Sequence, residues 1–101
     1  MREVSIHDLS EALDTGAVVV DVREPDEYAE GHVPTAVHIP MGHLPARVGE
    51  LDRSQPVYVI CASGNRSAEV TNYLTSAGFD AASVAGGTTA WAKAGRPIQK
   101  G

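Results

Sequence analysis

Residues 57–77, VYVICASGNRSAEVTNYLTSA, have the pattern of a strand, a loop and a helix. The first four are apolar and mostly β-branched or aromatic, which predicts a short buried strand. Apolar residues recur at i, i+3, i+4 and i+7 from Val70 to Ala77, which predicts one buried helical face. Gly78 follows where a helix end favours a residue with positive φ. The loop between this strand and this helix is therefore the first candidate for a reactive or ligand-binding site.

That loop begins with Cys61, the only cysteine of the chain, and ends with Arg66. A residue that ends a parallel strand lies at the sheet edge where α/β folds bind ligands. Unpaired N–H groups at the helix start point toward the loop, and Gly64, helped by Asn65, lets the chain curl into an anion nest. With the helix dipole and Arg66, these groups predict a Cys61 pKa below the free value of about 8.5 and a sulfur open to solvent. The alternative is a small buried hydrophobic side chain.

Three stretches resemble the rhodanese (sulfurtransferase) family. They are the pattern Cys-x-x-Gly-x-Arg-Ser at 61–67, DVREPDEYAEGHVPTA at 21–36 and AGGTTAW at 85–91. They stand in the family's order, and the resemblance covers nearly the whole chain. It implies one rhodanese-like domain over residues 1–101. The implied architecture is a three-layer α/β fold, a parallel sheet of about five strands with helices on both faces.

The resemblance also implies sulfur transfer. Cys61 is the expected nucleophile, which takes a sulfane sulfur from thiosulfate, a persulfide or a polysulfide and passes it to cyanide or a thiol. The implied activity is that of a sulfurtransferase of the rhodanese, thiosulfate:cyanide type, without a cofactor. The rest of the loop is expected to bind donor and persulfide: Ala62, Ser63, Gly64, Asn65, Arg66 and Ser67. We expect no metal site, because the four histidines lack close ligand spacing and only one cysteine is present.

Two interpretations of Arg66 stay open: it balances the charge of donor and persulfide, or it caps carbonyl groups of the loop. Ser67 is expected to cap the following helix and also to donate to the cysteine sulfur. Asp21 and Arg23 end the second strand at the same edge of the sheet. They are expected to support the fold rather than to catalyse, with Arg23 paired to Glu27.

Two alternatives to the sulfurtransferase stay open. Ala62 and Ser63 are small and neutral, whereas many thiosulfate-using members of the family carry a basic or bulky residue after the cysteine. The chain could therefore be a sulfur carrier or interaction module that passes its persulfide to a protein partner with little small-molecule turnover. A small phosphatase or arsenate reductase is less favoured, because related phosphatases have one residue more between cysteine and arginine than the four found here, 62–65.

The net charge and the cysteine content limit which partners and which cellular compartment we expect. The 101 residues carry a net charge of −5, which argues against nucleic acid or an anionic membrane surface as a partner. The expected partners are a small-molecule sulfur donor, a thiol or cyanide acceptor, and a protein acceptor in the carrier alternative. One cysteine excludes internal disulfides, and no signal peptide or long apolar run is present, so we expect a cytoplasmic protein.

The remaining elements follow from local patterns. Strands are predicted at 3–4, 17–22, 36–39 and 81–84, and helices after Ser5, over 25–30 and over 88–94. Helical spacing in 41–53 is interrupted by glycine and proline. Trp91 is expected to pack in the core. Gly86 and Gly87 are expected to let backbones pass closely beside the loop.

Overall fold

The computed structural model describes all 101 residues. Its centre is one sheet of five parallel strands in the order β1-β5-β4-β2-β3. The strands are β1 (Glu3–Val4), β2 (Val18–Asp21), β3 (Val37–His38), β4 (Val57–Ile60) and β5 (Ala81–Val84). The helices are α1 (Ile6–Asp14), α2 (Pro25–Glu30), α3 (Leu44–Arg47), α4 (Asn65–Ser76) and α5 (Gly87–Lys93). None of these helices is long and apolar enough to cross a bilayer.

The sheet is covered on both faces, which confirms the predicted three-layer α/β fold. Successive side chains of a strand point to opposite faces. Val19 accordingly packs in one apolar cluster with Leu9 of α1 and Trp91 of α5. Val20 packs in the other, which Leu44 of α3 and Leu74 of α4 also join. Each of these side chains except Trp91, at 4%, is at most 1% exposed, so the apolar run of β2 is explained by burial on both sides.

The end of α4 has the predicted glycine geometry. Gly78 has φ +93, the left-handed conformation that glycine adopts without a steric penalty. The Phe79 N–H donates to Leu74 O at 3.0 Å, and the Gly78 N–H donates to Thr75 O at 3.1 Å. These two bonds satisfy carbonyl groups of the last helical turn in a Schellman motif.

Residues 41–50 form the segment that the sequence pattern left ambiguous. The four-residue helix α3 is flanked by single 3₁₀ turns at Met41–His43 and Val48–Glu50. Gly42 and Gly49 lie within those two turns. The regular helix has only four residues, but Leu44 within it is buried in the core and attaches this segment to the sheet.

Candidate active site

The loop after β4 wraps its backbone around the sulfur of Cys61. Gly64 has φ +117 and turns the chain so that α4 begins at Asn65. As a result the Gly64 N–H donates to Cys61 Sγ at 3.1 Å and the Ser67 N–H donates to it at 3.3 Å. The sulfur therefore lies at the N-terminus of α4, where N–H groups lack helical partners.

Ser67 contacts the sulfur but does not cap the helix. Its Oγ lies 3.4 Å from Cys61 Sγ and donates to Gly64 O at 3.1 Å. The predicted capping role is wrong, because the left-handed Gly64 starts the helix three residues earlier and places Ser67 inside the first turn. The predicted contact between Ser67 and the sulfur is present.

These hydrogen bonds outweigh burial in setting the acidity of Cys61. Burial raises the pKa of the thiol, since it disfavours the charged form. The Ser67 hydroxyl and the backbone N–H groups of Ser67 and Gly64 lower it by hydrogen bonding to the thiolate. The net result is a pKa below the ordinary value, which confirms the predicted direction.

The sulfur is much less open to solvent than predicted. Cys61 is 1% exposed and belongs to the same apolar cluster as Val22, Val59 and Val70. The expectation of an open approach is therefore wrong. The reason is that Cys61 directly continues the buried strand β4, so its side chain enters the core layer beneath α4.

The start of α5 lies against the other side of the loop. The Thr88 N–H donates to Cys61 O at 2.9 Å, and the Thr89 N–H donates to Ala62 O at 3.1 Å. A Cβ at Gly87 would collide with Cys61 O and would lie 2.6 Å from Ala62 O. The glycine pair thus provides the close backbone passage that the sequence predicted. The two hydrogen bonds from the start of α5 hold the loop in place.

Arg66 forms an ion pair that neither interpretation of the sequence anticipated. Its two terminal nitrogens donate to the two carboxylate oxygens of Glu27 at 2.7 and 2.9 Å. The hydrogen bond from Arg66 is the main reason that the pKa of Glu27 falls to about 2. Of the two interpretations, the cap on loop carbonyl groups is not present, and no hydrogen bond joins Arg66 to the loop. The guanidinium is instead neutralised by a carboxylate of α2.

Asp21 and Arg23 form a buried ion pair beneath this edge of the sheet. Arg23 Nη2 donates to Asp21 Oδ2 at 2.8 Å and to Gly31 O at 2.8 Å, and Arg23 Nε donates to both oxygens of Asp21. Asp21 is 0% exposed and Arg23 is 6% exposed. The predicted pairing of Arg23 with Glu27 is wrong, since the carboxylate two residues earlier is closer and Glu27 is already bound to Arg66.

The predicted loop residues divide into two groups. The backbone N–H groups of Gly64 and Ser67 and the hydroxyl of Ser67 converge on the sulfur. Ala62 is half-buried, and Ser63 and Asn65 are exposed. The side chains of Ser63 and Asn65 form no hydrogen bond with the sulfur, so any contribution they make to the site is through the backbone.

A cavity of about 270 Å³ lies beside the loop. Its lining includes Arg23, Glu27, Glu30, Ala62, Thr88 and Thr89. Sequence reasoning did not place Glu27, Glu30 or the two threonines at the site. The sequence did contain a sign of their role, because all four lie in the other two stretches that resemble the rhodanese family, 21–36 and 85–91.

The comparisons with known proteins agree with this geometry. A family model described as a rhodanese-like domain matches residues 5–94. The chain belongs to the rhodanese-like family. A rhodanese-related protein from Thermoplasma volcanium has a crystal structure with a TM-score of 0.93 and 34% identity, with 98% of each chain covered.

Three curated relatives of this rhodanese-like chain have names that refer to sulfur transfer or sulfur carriage. A sulfurtransferase of Allochromatium vinosum is 38% identical over 101 residues, which cover 97% of this chain and 94% of the relative. YtwF of Bacillus subtilis is 42% identical over 93 residues, 90% of each chain. YrkF of the same bacterium, whose name classes it as a sulfur carrier protein, is 35% identical over 79 residues, 76% of this chain and 43% of the relative.

Proposed function

We propose that this chain is a sulfurtransferase that moves a sulfane sulfur from a persulfide, a polysulfide or thiosulfate to a thiol or cyanide, through a persulfide on Cys61. The main support is that two N–H groups and one hydroxyl lie within hydrogen-bonding distance of a single sulfur. Hydrogen bonds to a thiolate favour that form, and the thiolate is the nucleophile. In this proposal Cys61 is the catalytic residue, residues 62–67 bind the persulfide, and Asp21 with Arg23 support the fold.

The reaction has two displacement steps. The Cys61 thiolate attacks the outer sulfur of the donor, and the new Sγ–S bond forms as the donor's S–S bond breaks. The leaving group takes the bonding electrons: a thiolate from a persulfide, a polysulfide one sulfur shorter from a polysulfide, or sulfite from thiosulfate. A thiolate or cyanide then attacks the terminal sulfur, and the Sγ–S bond breaks to return the Cys61 thiolate. Neither step requires a general base, because both nucleophile and leaving group are stable anions. The N–H groups of the loop stabilise the negative sulfur in each resting state.

The charges around the loop favour organic persulfide donors over thiosulfate. Both terminal nitrogens of Arg66 donate to the carboxylate of Glu27, and Arg23 donates to Asp21. The cavity beside the loop also contains the carboxylate of Glu30. Thiosulfate would bring two negative charges on one small group into a site whose two guanidinium groups are already neutralised, whereas an organic persulfide brings a single charge at its reacting end.

Intact-mass spectrometry tests this proposal directly. Incubation with glutathione persulfide, polysulfide or thiosulfate should add one sulfur atom, about 32 Da, at Cys61, and a thiol should remove it. A Cys61→Ser variant and wild-type protein alkylated beforehand should gain no mass. Absence of the adduct with every donor would refute the proposal.

The covered sulfur gives one specific reason to test the carrier alternative. Cys61 is 1% exposed, so a small molecule reaches the sulfur only after the surrounding loop moves. A protein partner could supply the contacts that open the loop. The carrier alternative predicts that the protein loads with sulfur but shows little cyanide- or thiol-dependent turnover until a protein acceptor is added. Steady turnover with a small thiol alone would favour the enzyme.

A further inference from the structure

A chain of buried hydroxyl groups extends from Cys61 into the sheet. Ser67 Oγ lies 3.4 Å from Cys61 Sγ, and Ser83 Oγ lies 2.8 Å from Ser67 Oγ. Ser67 and Ser83 are 0% exposed, and Cys61 is 1% exposed. Ser83 is the only polar residue of β5, whose other residues are alanine and valine. Its hydroxyl has one hydrogen-bond partner, Ser67.

The Ser67 hydroxyl has one proton and three neighbours that could receive it. They are Gly64 O at 3.1 Å, Ser83 Oγ at 2.8 Å and the sulfur at 3.4 Å. When Cys61 is a thiol, its S–H can donate to Ser67 Oγ while the Ser67 proton goes to Gly64 O. When Cys61 is a thiolate, the Ser67 hydroxyl adds to the stabilisation by the N–H groups only if its proton turns toward the sulfur. The Ser67 oxygen then accepts a proton from Ser83.

We propose that Ser83 is a positioning residue for the sulfur chemistry: its hydroxyl donates to Ser67 Oγ and so directs the Ser67 proton onto the Cys61 sulfur. Hydrogen bonds in such a chain polarise one another, and the effect is larger away from water. Ser83 acts through Ser67 and does not touch the sulfur itself. The inference rests on the proposed function in that Cys61 is the nucleophile.

The charged groups near the sulfur do not offer the same effect. Arg66 approaches from α4 and its partner Glu27 from α2, and their hydrogen bonds join them to each other. Neither forms a hydrogen bond with Ser67 or Ser83. A substitution at Ser83 therefore changes the hydroxyl chain while it leaves this ion pair intact.

The pH dependence of Cys61 alkylation by iodoacetamide tests the inference. Ser83→Ala should raise the midpoint by about 0.5–1 pH unit, because the thiolate loses part of its hydrogen-bond stabilisation. Ser83→Thr should restore the wild-type midpoint, since threonine keeps the hydroxyl. Thr71→Val is the matched control: Thr71 is a buried hydroxyl of α4 without a hydrogen-bond partner, and its loss should leave the midpoint in place.

The double variant Ser67→Ala/Ser83→Ala separates positioning from a general effect on stability. If Ser83 acts through Ser67, the double variant should have the midpoint of Ser67→Ala alone. An unchanged midpoint in Ser83→Ala, or a Ser83 effect that adds in full to the Ser67 effect, would overturn the inference. Alkylation requires no sulfur transfer. A shifted midpoint in a protein that never forms a persulfide therefore refutes the proposed function only, whereas normal persulfide formation with no shift refutes only the role of Ser83.

Discussion

At the scale of single residues, the site depends on hydrogen-bond donors more than on free charges. Gly64 and Ser67 donate directly to the sulfur, while the guanidinium of Arg66, at the end of the loop, is held by Glu27. Changes in charge beside the loop should therefore alter which sulfur-donating substrate the protein uses. They should have less effect on whether Cys61 can hold a persulfide sulfur.

Glu27→Gln should increase the use of thiosulfate relative to a persulfide donor. The substitution removes the negative charge that neutralises Arg66, so thiosulfate should gain about 3- to 10-fold in kcat/KM relative to cysteine persulfide, whose ammonium group offsets its carboxylate. The measurement is kcat/KM with both donors. Glu50→Gln is the matched control, because Glu50 forms a similar ion pair with Arg47 but does not line the cavity. An unchanged ratio of the two values in Glu27→Gln would contradict the assigned charge effect.

Asp21→Ala should destabilise the fold strongly. It would leave the Arg23 guanidinium buried without its carboxylate, and removal of one partner of a buried ion pair costs about 3–5 kcal/mol. Urea denaturation at neutral pH measures the loss. Glu50→Ala, which breaks the exposed Arg47–Glu50 pair, should change the unfolding midpoint little. Similar losses in both variants would show that burial of the Asp21–Arg23 pair has no special effect.

At the scale of elements, local patterns were enough wherever one residue type sets the boundary. The predicted bounds of β4, β5 and α2 match the structure. Each strand coincides with a short buried run of mostly apolar residues, and α2 begins at Pro25 and ends just before Gly31. The start of α4 was missed by two residues. There the boundary depends on the φ of Gly64, and the sequence shows that this residue can turn without showing where the turn falls.

Gly87→Ala should damage the loop far more than Gly95→Ala. Both glycines have positive φ, +57 and +75, so both substitutions carry the strain of a left-handed alanine, about 1–2 kcal/mol. Only at Gly87 would the new Cβ collide with the carbonyl groups of Cys61 and Ala62. We expect Gly87→Ala to lose about 1–3 kcal/mol more in urea denaturation and most of its sulfur loading.

The comparison isolates close packing because nothing lies within 4 Å of a Cβ at Gly95. Equal stability and equal loading in the two variants would mean that the loop and α5 can move apart without consequence.

At the scale of the whole molecule, the fold was predictable and its ion pairs were not. Three sequence stretches in order and alternating strands and helices sufficed for the parallel sheet. Arg66 and Glu27 are 39 positions apart, and their contact exists only because α2 and α4 meet above the same sheet edge. The burial of Cys61 was missed for a related reason: it depends on how the core layer closes over the end of β4.

The Arg66–Glu27 pair predicts how stability changes in acid. Folding lowers the pKa of Glu27 from 4.5 to about 2, mainly through the hydrogen bond from Arg66. The pair therefore stabilises the fold fully above about pH 4.5, and its contribution is lost as the pH falls from there toward 2. Wild-type protein should lose more stability than Glu27→Gln over this range. Urea denaturation at several pH values measures the difference.

Arg66→Met is the control for that experiment, because it removes the cation and keeps the carboxylate. It should show the same reduced acid dependence as Glu27→Gln. Parallel curves for all three proteins would show that the pair does not contribute to stability.

The hydrogen bonds from Thr88 and Thr89 to the carbonyl groups of Cys61 and Ala62 make the last fifth of the chain part of the site that precedes it. Two fragments divided at the exposed Asp80 would each lack half of this arrangement. Sulfur loading would then appear only when the fragments are mixed and reassociate, so that the chemistry of one thiol would report fragment complementation of the whole domain.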